Sequence, residues 1–422
     1  MVVLSKHCNP RLERVHAWIQ KKWDERYLNF VTKFQNRMHW DILSMHPNIT
    51  MEMIENHPDL PWVWHEISDN PNINIEFIKK HLDKMWDWNS LSKHPNITME
   101  MIENNSDLPW NWEWISQNPN LTMEFIQKYH NKPWKWVWIS QNSNLTIEFI
   151  QKYHNKPWNW RWLSCNPNLT IDWIINNPDL PWEWKWISKH RNITMAIIEN
   201  HPDLPWIWKW LSYNPNLTIE VIKKYSGKPW DWNRISIHQN ITMDMIVNNP
   251  DLRWKWDLLS SNPNITIEFI VNNLHLSWDW CALSRNKNIT IEIIESYPRL
   301  PWNWTSISQN QNMTVEIIES YPDKPWNWYH ILSANPNITI EFIDNNSDRF
   351  WDWEEISMTE FTKEKELFFE KYYRIYIATF RLQQYFNRMY DNPEFSFCRK
   401  RLNRQYDELF PGNTMNYSQA IR

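Results

Sequence analysis

A tryptophan recurs twelve times in succession at a constant interval of 24 residues, at Trp62, Trp86, Trp110, Trp134, Trp158, Trp182, Trp206, Trp230, Trp254, Trp278, Trp302 and Trp326. Each opens a Trp-x-Trp. The next such pair, Trp351 and Trp353, arrives one residue late, which places a single insertion near Ile331 and Leu332. Upstream, Met38 and Trp40 continue the beat as a degenerate first copy. Modules this short cannot bury an apolar face alone, so the copies must stack into a quasi-one-dimensional solenoid. The composition carries the same bias, with 35 Trp, 26 Pro and only 2 Gly in 422 residues.

One unit reads N-P-N-I-T-I-E-F-I-x-x-x-P-D-L-P-W-x-W-x-x-I-S-x. Its first half, as in Asn118 to His130, fits a short helix with Thr122 as N-cap and Glu124 in the first turn, where the helix dipole favours an acid. The I-T-I-E-F run also alternates like a strand, but β-solenoids use Gly at their corners and this chain has almost none. In the second half, Pro109 suits the first turn of a helix. Trp112 and Ile115 then share a face at i,i+3, and Trp110 and Trp114 share another at i,i+4. That piece is short enough to be α or 3₁₀.

The expected fold is therefore all-α: a superhelical solenoid of about thirteen two-helix repeats with helical caps at both ends. Residues 1–45 form the N-terminal cap and degenerate copy, 46–358 the solenoid, 359–398 a C-terminal capping helix and 399–422 a polar tail. Arg11 to Phe34 and Phe361 to Met389 carry the apolar stripes expected of caps.

The units His46 to Ser68 and Asn214 to Ser236 resemble the variant leucine-rich repeat, which shares the 24-residue period, the N-P-N-T opening and the D-rich joint. That resemblance implies alternating α and 3₁₀ segments; the Trp-x-Trp departs from it, and no cysteine cluster matches the iron–sulfur site known beside some members. The Trp-rich, Asn/Ile-biased units and the tail from Tyr390 to Leu409 also resemble repeat proteins of giant DNA viruses, which implies a host-cytoplasmic or virion location.

A net charge of -5 offers no overall basic field for nucleic acid. Cys8, Cys165, Cys281 and Cys398 are too scattered to suggest zinc or a disulfide framework. With no signal-peptide core or long apolar stretch, the chain reads as soluble and intracellular, without a membrane partner. The many Asn-x-Thr triplets, such as Asn48-Ile49-Thr50, then read as turn and cap chemistry rather than glycosylation sites.

The first and second Trp of every unit read as packing residues. The repeated Asn, from Asn48 onward, reads as a ladder satisfying loop backbone, and Ser116 and Ser140 as capping groups. The Asn or His ahead of the N-P-N proline, as at His46, Asn70, His94 and Asn118, reads as a turn hydrogen bond rather than a metal ladder. The informative position lies four residues past the first Trp. It is Trp in five consecutive units (Trp114, Trp138, Trp162, Trp186 and Trp210) and polar or small in most others, including Glu66 and Arg234. A position that accepts Glu and Arg is not fully buried, so the five form a candidate partner-binding stripe, rimmed by Lys135, Arg161, Lys185 and Lys209. No acid, base and nucleophile recur together, and no cofactor or metal is implied. The expected function is a non-enzymatic scaffold for protein partners. Single-stranded RNA or glycan binding by stacked Trp and a structural role in a virion or viral factory are the alternatives.

Overall fold

The residue ahead of each first helix sets the local structure of its unit. Thr122 Oγ accepts the amide of Phe125 at 3.2 Å and opens the six-residue helix Met123–Lys128, with Glu124 in its first turn. Thr50, Thr98, Thr146, Thr218 and Thr339 act alike, and Asn74 substitutes in its own unit. Such an oxygen satisfies an amide that a helix start leaves unpaired. The computed structural model describes residues 10–391 and 395–409, and the described residues form helices and no strand. The chain is an α-solenoid of helix pairs repeating every 24 residues.

The second helix begins later than the proline suggests. It spans Trp112–Ile115, so Pro109 and Trp110 precede it. The Trp110 amide instead donates to Leu108 O at 2.8 Å, and the same i→i+2 bond recurs at Trp134, Trp158 and Trp206. This closes a γ-turn around the proline, whose ring fixes the φ such a turn uses. The turn presses the first Trp inward: Trp110 is 7% exposed, and its indole N–H reaches Asn105 O, at the end of the first helix, at 2.8 Å.

Neighbouring units are joined by four repeated links. Ser116 Oγ accepts the Lys135 amide at 3.0 Å, and the equivalent serines from Ser44 to Ser333 make the same bond 19 residues ahead. The buried Asn118 amide reaches back to Ser92 O, His94 O and Ile97 O at 3.0–3.2 Å, while its Oδ1 accepts Asn120 N–H at 2.8 Å. Asn120 in turn donates to Pro95 O and Ile97 O. Fourth, the second Trp of each unit meets the first Trp of the next edge to face, as Trp136 meets Trp158 at 5.0 Å and 80°. The repeated Asn and Ser are thus a backbone-satisfying ladder, and the Thr of the Asn-x-Thr triplets is the cap in most units, with Thr290 and Thr314 as exceptions.

Histidine enters the ladder by imitating asparagine. In His190, Nδ1 accepts Asn192 N–H at 3.1 Å and Nε2 pairs with Asn166 O at 2.9 Å; His238 does the same with Asn240 and Asn214. Both ring nitrogens are engaged with backbone, which fixes the neutral Nε2–H form and leaves no lone pair for a metal.

The array closes on itself. His39 N–H donates to Ser357 Oγ at 3.0 Å, the bond made at every other joint, here across 318 residues. Asn48 donates to Glu360 O at 2.8 Å, just as Asn72 donates to Pro47 O. Phe34 packs on Trp353 at 4.9 Å, Arg37 lies over the same indole, and Lys33 pairs with Asp344. Met38, the twelve evenly spaced Trp and Trp351 therefore mark fourteen units in a ring. The two ends that the sequence reading sets apart under separate caps cover each other instead. At ~8–10 Å per packed unit, fourteen units give a mean radius of roughly 20 Å. The inserted residue is absorbed in the π-helical turn Trp328–Leu332, where Leu332 N–H reaches five residues back to Asn327 O at 2.9 Å.

Leu28–Phe361 is this closed unit, and the residues before it and after it form a second compact unit. In the second, Trp23 and Trp18 of the helix Pro10–Lys33 meet Phe368 and Tyr372 of the helix Thr362–Asp391, and Arg26 pairs with Glu364 at 2.7 Å. Residues 392–394 of the capping helix expected over 359–398 lie outside the described residues, as does Cys8. Cys165, Cys281 and Cys398 are free thiols. No helix among the described residues is long and apolar enough to cross a membrane.

Two outcomes test the ladder. Asn214→Ala strips the buried carbonyls of Ser188 and His190 of their donor, leaving Ile193 O to Asn216 alone, and lowers unfolding stability by about 2–4 kcal/mol, measured by urea titration, whereas Asn214→His is better tolerated. Burial lowers the pKa of His94, His190 and His238, so the folded state binds fewer protons. Their stabilisation is complete above about pH 6.5 and is lost as pH falls through the lowered folded values. Replacing all three by Asn shrinks the drop in Tm between neutral and mildly acidic pH; an unchanged drop contradicts the account.

Candidate binding surface

The second helices expose one face and bury the other. In Trp160–Leu163 and Trp208–Leu211, the closing Leu and the following Ser are buried, while the residues three and four places past the first Trp look outward. Neighbouring units approach one another most closely through these helices, as do Trp88–Lys93 with Trp112–Ile115 and Trp184–Ser188 with Trp208–Leu211. The first helices are bridged by long side chains, Lys80 to Glu55 and Lys128 to Glu103 at 2.8 Å, and Lys224 to Glu199 at 2.9 Å. In a closed array the elements that crowd together lie on the inner circumference. The outward face of the second helices therefore looks into the opening of the ring.

Trp114, Trp138, Trp162, Trp186 and Trp210 all lie on this face and all are half-buried. Trp114 and Trp138 pack ring to ring at 4.9 Å. Beyond them cations alternate with rings. Arg161 sits 5.5 Å from Trp162 and 4.6 Å from Trp186; Lys185 sits 5.5 Å from Trp186 and 4.5 Å from Trp210. Lys189 lies 3.7 Å from Trp186 and 5.5 Å from Trp210, which packs in turn on Tyr213 at 5.2 Å. Arg234 closes the series 4.8 Å from Tyr213. Each such pairing contributes about 0.5–2 kcal/mol and holds the cation against the ring face.

Two of the rim residues named from sequence differ from the rest. Lys135 precedes its helix and is paired with Glu113 at 3.0 Å, so it is not stacked in the stripe. Lys209 lies on the exposed side of Trp208–Leu211. Sequence reading missed Lys93, Lys189 and Tyr213, seven places past the first Trp, although that position lies one helical turn beyond the third and fourth. Lys93 covers Trp114 at 5.2 Å.

The second Trp of each unit is half-buried rather than fully enclosed. In several units, besides its edge-to-face partner, it also takes a lysine over its ring, Lys132 over Trp112 at 4.4 Å and Lys156 over Trp136 at 5.4 Å. The first Trp is core in every regular unit but that of Trp302, which is partly exposed. The repeated Ser hydroxyls are committed to the joints. No family model, no curated protein and no solved structure matches the chain.

The burial difference is directly testable. Trp158, 8% exposed and bonded to Tyr153 O at 2.9 Å, loses about 3–5 kcal/mol on replacement by Ala. Trp162→Ser costs less, about 1–2 kcal/mol, since part of its surface already faces water. Equal losses in urea unfolding would show that the stripe is core.

Proposed function

We propose that the chain is a non-enzymatic scaffold that holds a protein partner on the inner face of its closed array. Trp114, Trp138, Trp162, Trp186 and Trp210 supply the contact surface, and Arg161, Lys185 and Lys209 the flanking charge. The observation that carries this reading is the contrast within one repeat: its first Trp, Asn and Ser are buried and committed to the joints, while these five Trp form a continuous, partly exposed run. Contiguous aromatic surface on a folded chain marks interfaces. Catalysis has no corresponding support, because the hydroxyls and imidazoles of the repeat already serve the backbone.

Replacing Trp138, Trp162 and Trp186 together by Ser tests the reading. Affinity capture from expressing cells, followed by rebinding of the purified candidate, yields a partner that the wild-type chain holds and the triple variant releases, with far-UV circular dichroism unchanged. A partner held equally by both chains overturns the assignment of this surface.

A further inference from the structure

Several cations of the array are neutralised by a carboxylate of a neighbouring unit. Lys80, Lys128 and Lys224 pair with Glu55, Glu103 and Glu199, Lys135 with Glu113, and Lys93 with Asp69 at 3.9 Å. On the inner face of the four units opened by Trp158, Trp182, Trp206 and Trp230, the pattern stops. The positions three, four and seven past those tryptophans are Arg161, Trp162 and Cys165; Lys185, Trp186 and Lys189; Lys209, Trp210 and Tyr213; and Asn233, Arg234 and Ile237. Five cations stand there with no carboxylate at any of the twelve positions, and none of the five makes an ion pair among the described residues. Glu183 and Asp231 each precede a helix of this arc, Asp231 accepting the Arg234 amide at 3.2 Å, and neither makes an ion pair among the described residues.

Stacking fixes four of these cations without neutralising them, while Lys209 is exposed. Arg161 is held between Trp162 and Trp186, and Lys185 and Lys189 between Trp186 and Trp210. Arg234 stacks on Tyr213 at 4.8 Å, and the N–H donors that no ring covers remain free for an anion. Lys189 is partly buried, and that burial, with Lys185 and Arg161 close by, lowers the pKa of its ammonium. Like charges gathered in a partly desolvated strip are a standing cost that an incoming anion relieves.

We infer that this arc binds an extended acidic peptide segment, its carboxylates accepting from Arg161, Lys185, Lys189, Lys209 and Arg234 while its apolar side chains lie on the exposed edges of Trp162, Trp186 and Trp210. This rests on the partner-binding reading above and names the partner's chemistry. Peptide suits the strip better than single-stranded nucleic acid. Bases bind by stacking on open aromatic faces, whereas here those faces are occupied by the protein's own cations and would have to be vacated. Carboxylates need only the outward donors, which are already in place. Four units at ~8–10 Å span about 30–40 Å, the length of roughly ten residues of extended chain at ~3.3 Å each.

The experiment uses the full chain and three fluorescein-labelled probes of about twelve residues or nucleotides: a peptide alternating Glu with Leu, the same peptide with Gln for Glu, and oligothymidylate. Fluorescence anisotropy at low salt is expected to show saturable binding of the acidic peptide, weakened about tenfold or more by 0.3 M salt. The Gln peptide and the oligonucleotide are expected to bind at least about tenfold more weakly. Arg161→Glu, Lys185→Glu and Lys189→Glu combined abolish the binding, with circular dichroism as the folding control, and Lys128→Glu on the outer helices leaves it intact. Absence of binding by the acidic peptide, indifference to the triple reversal, or tighter binding of the oligonucleotide each overturns the inference. If the acidic probe fails while a captured protein still depends on Trp138, Trp162 and Trp186, the scaffold reading stands and only the partner's chemistry is wrong; loss of that Trp dependence removes the scaffold reading itself.

Discussion

The structure depends on satisfying backbone groups at the joint between two units. A 24-residue module of short helices leaves amides and carbonyls exposed at every turn, and burying them unpaired costs more than the apolar contacts return. The repeat solves this with side chains that reach across: Ser116 takes the Lys135 amide, and Asn118 and Asn120 collect the carbonyls of the unit before. Because every such bond links unit to unit, the helices are stable only as a stack. The edge-to-face Trp pairs fill the space that this hydrogen-bonded frame leaves between layers.

Ring closure extends the same logic to the ends. An open stack would leave Ser357 without an amide to hold and Asn48 without a carbonyl to reach. Here Ser357 holds His39 N–H and Asn48 reaches Glu360 O, so the first and last units are joined as any other pair. The chain then leaves the ring at Phe361, whose φ of 51° lies in the left-handed region and which is held by near-complete burial against Phe30. The extra residue in the unit of Trp326 does not disturb closure, because the π turn confines it to one helix and Ser333 still takes the Asp352 amide at 2.9 Å. Closure also turns the crowded second helices inward and so gathers the aromatic and cationic positions of separate units along one arc.

Much of this is legible in the amino-acid order. The period, the Thr122 cap, the Asn ladder and the exchange of Asn for His each follow from local chemistry that repeats. Closure does not, since it depends on a small rotation accumulated over fourteen copies, and no single unit encodes its total. Pro109 misled because proline serves a γ-turn as readily as a first helical turn, which shifts the second helix to begin at Trp112. The partial exposure of Trp138 and Trp162 was readable from Glu66 and Arg234 at the same register. The stacking of Lys189 on Trp210 and of Arg234 on Tyr213 was not, because it joins residues of neighbouring units 21 positions apart.

The most direct measurement is hydrogen exchange at the His39 amide compared with its counterparts Val63 and Asp87. All three donate to a serine hydroxyl of the preceding unit, Ser357, Ser44 and Ser68. A closed ring predicts matching protection at the three sites, since His39 then sits at a joint like any other. Exchange at His39 faster by orders of magnitude, with Val63 and Asp87 still protected, would show a frayed end and contradict closure.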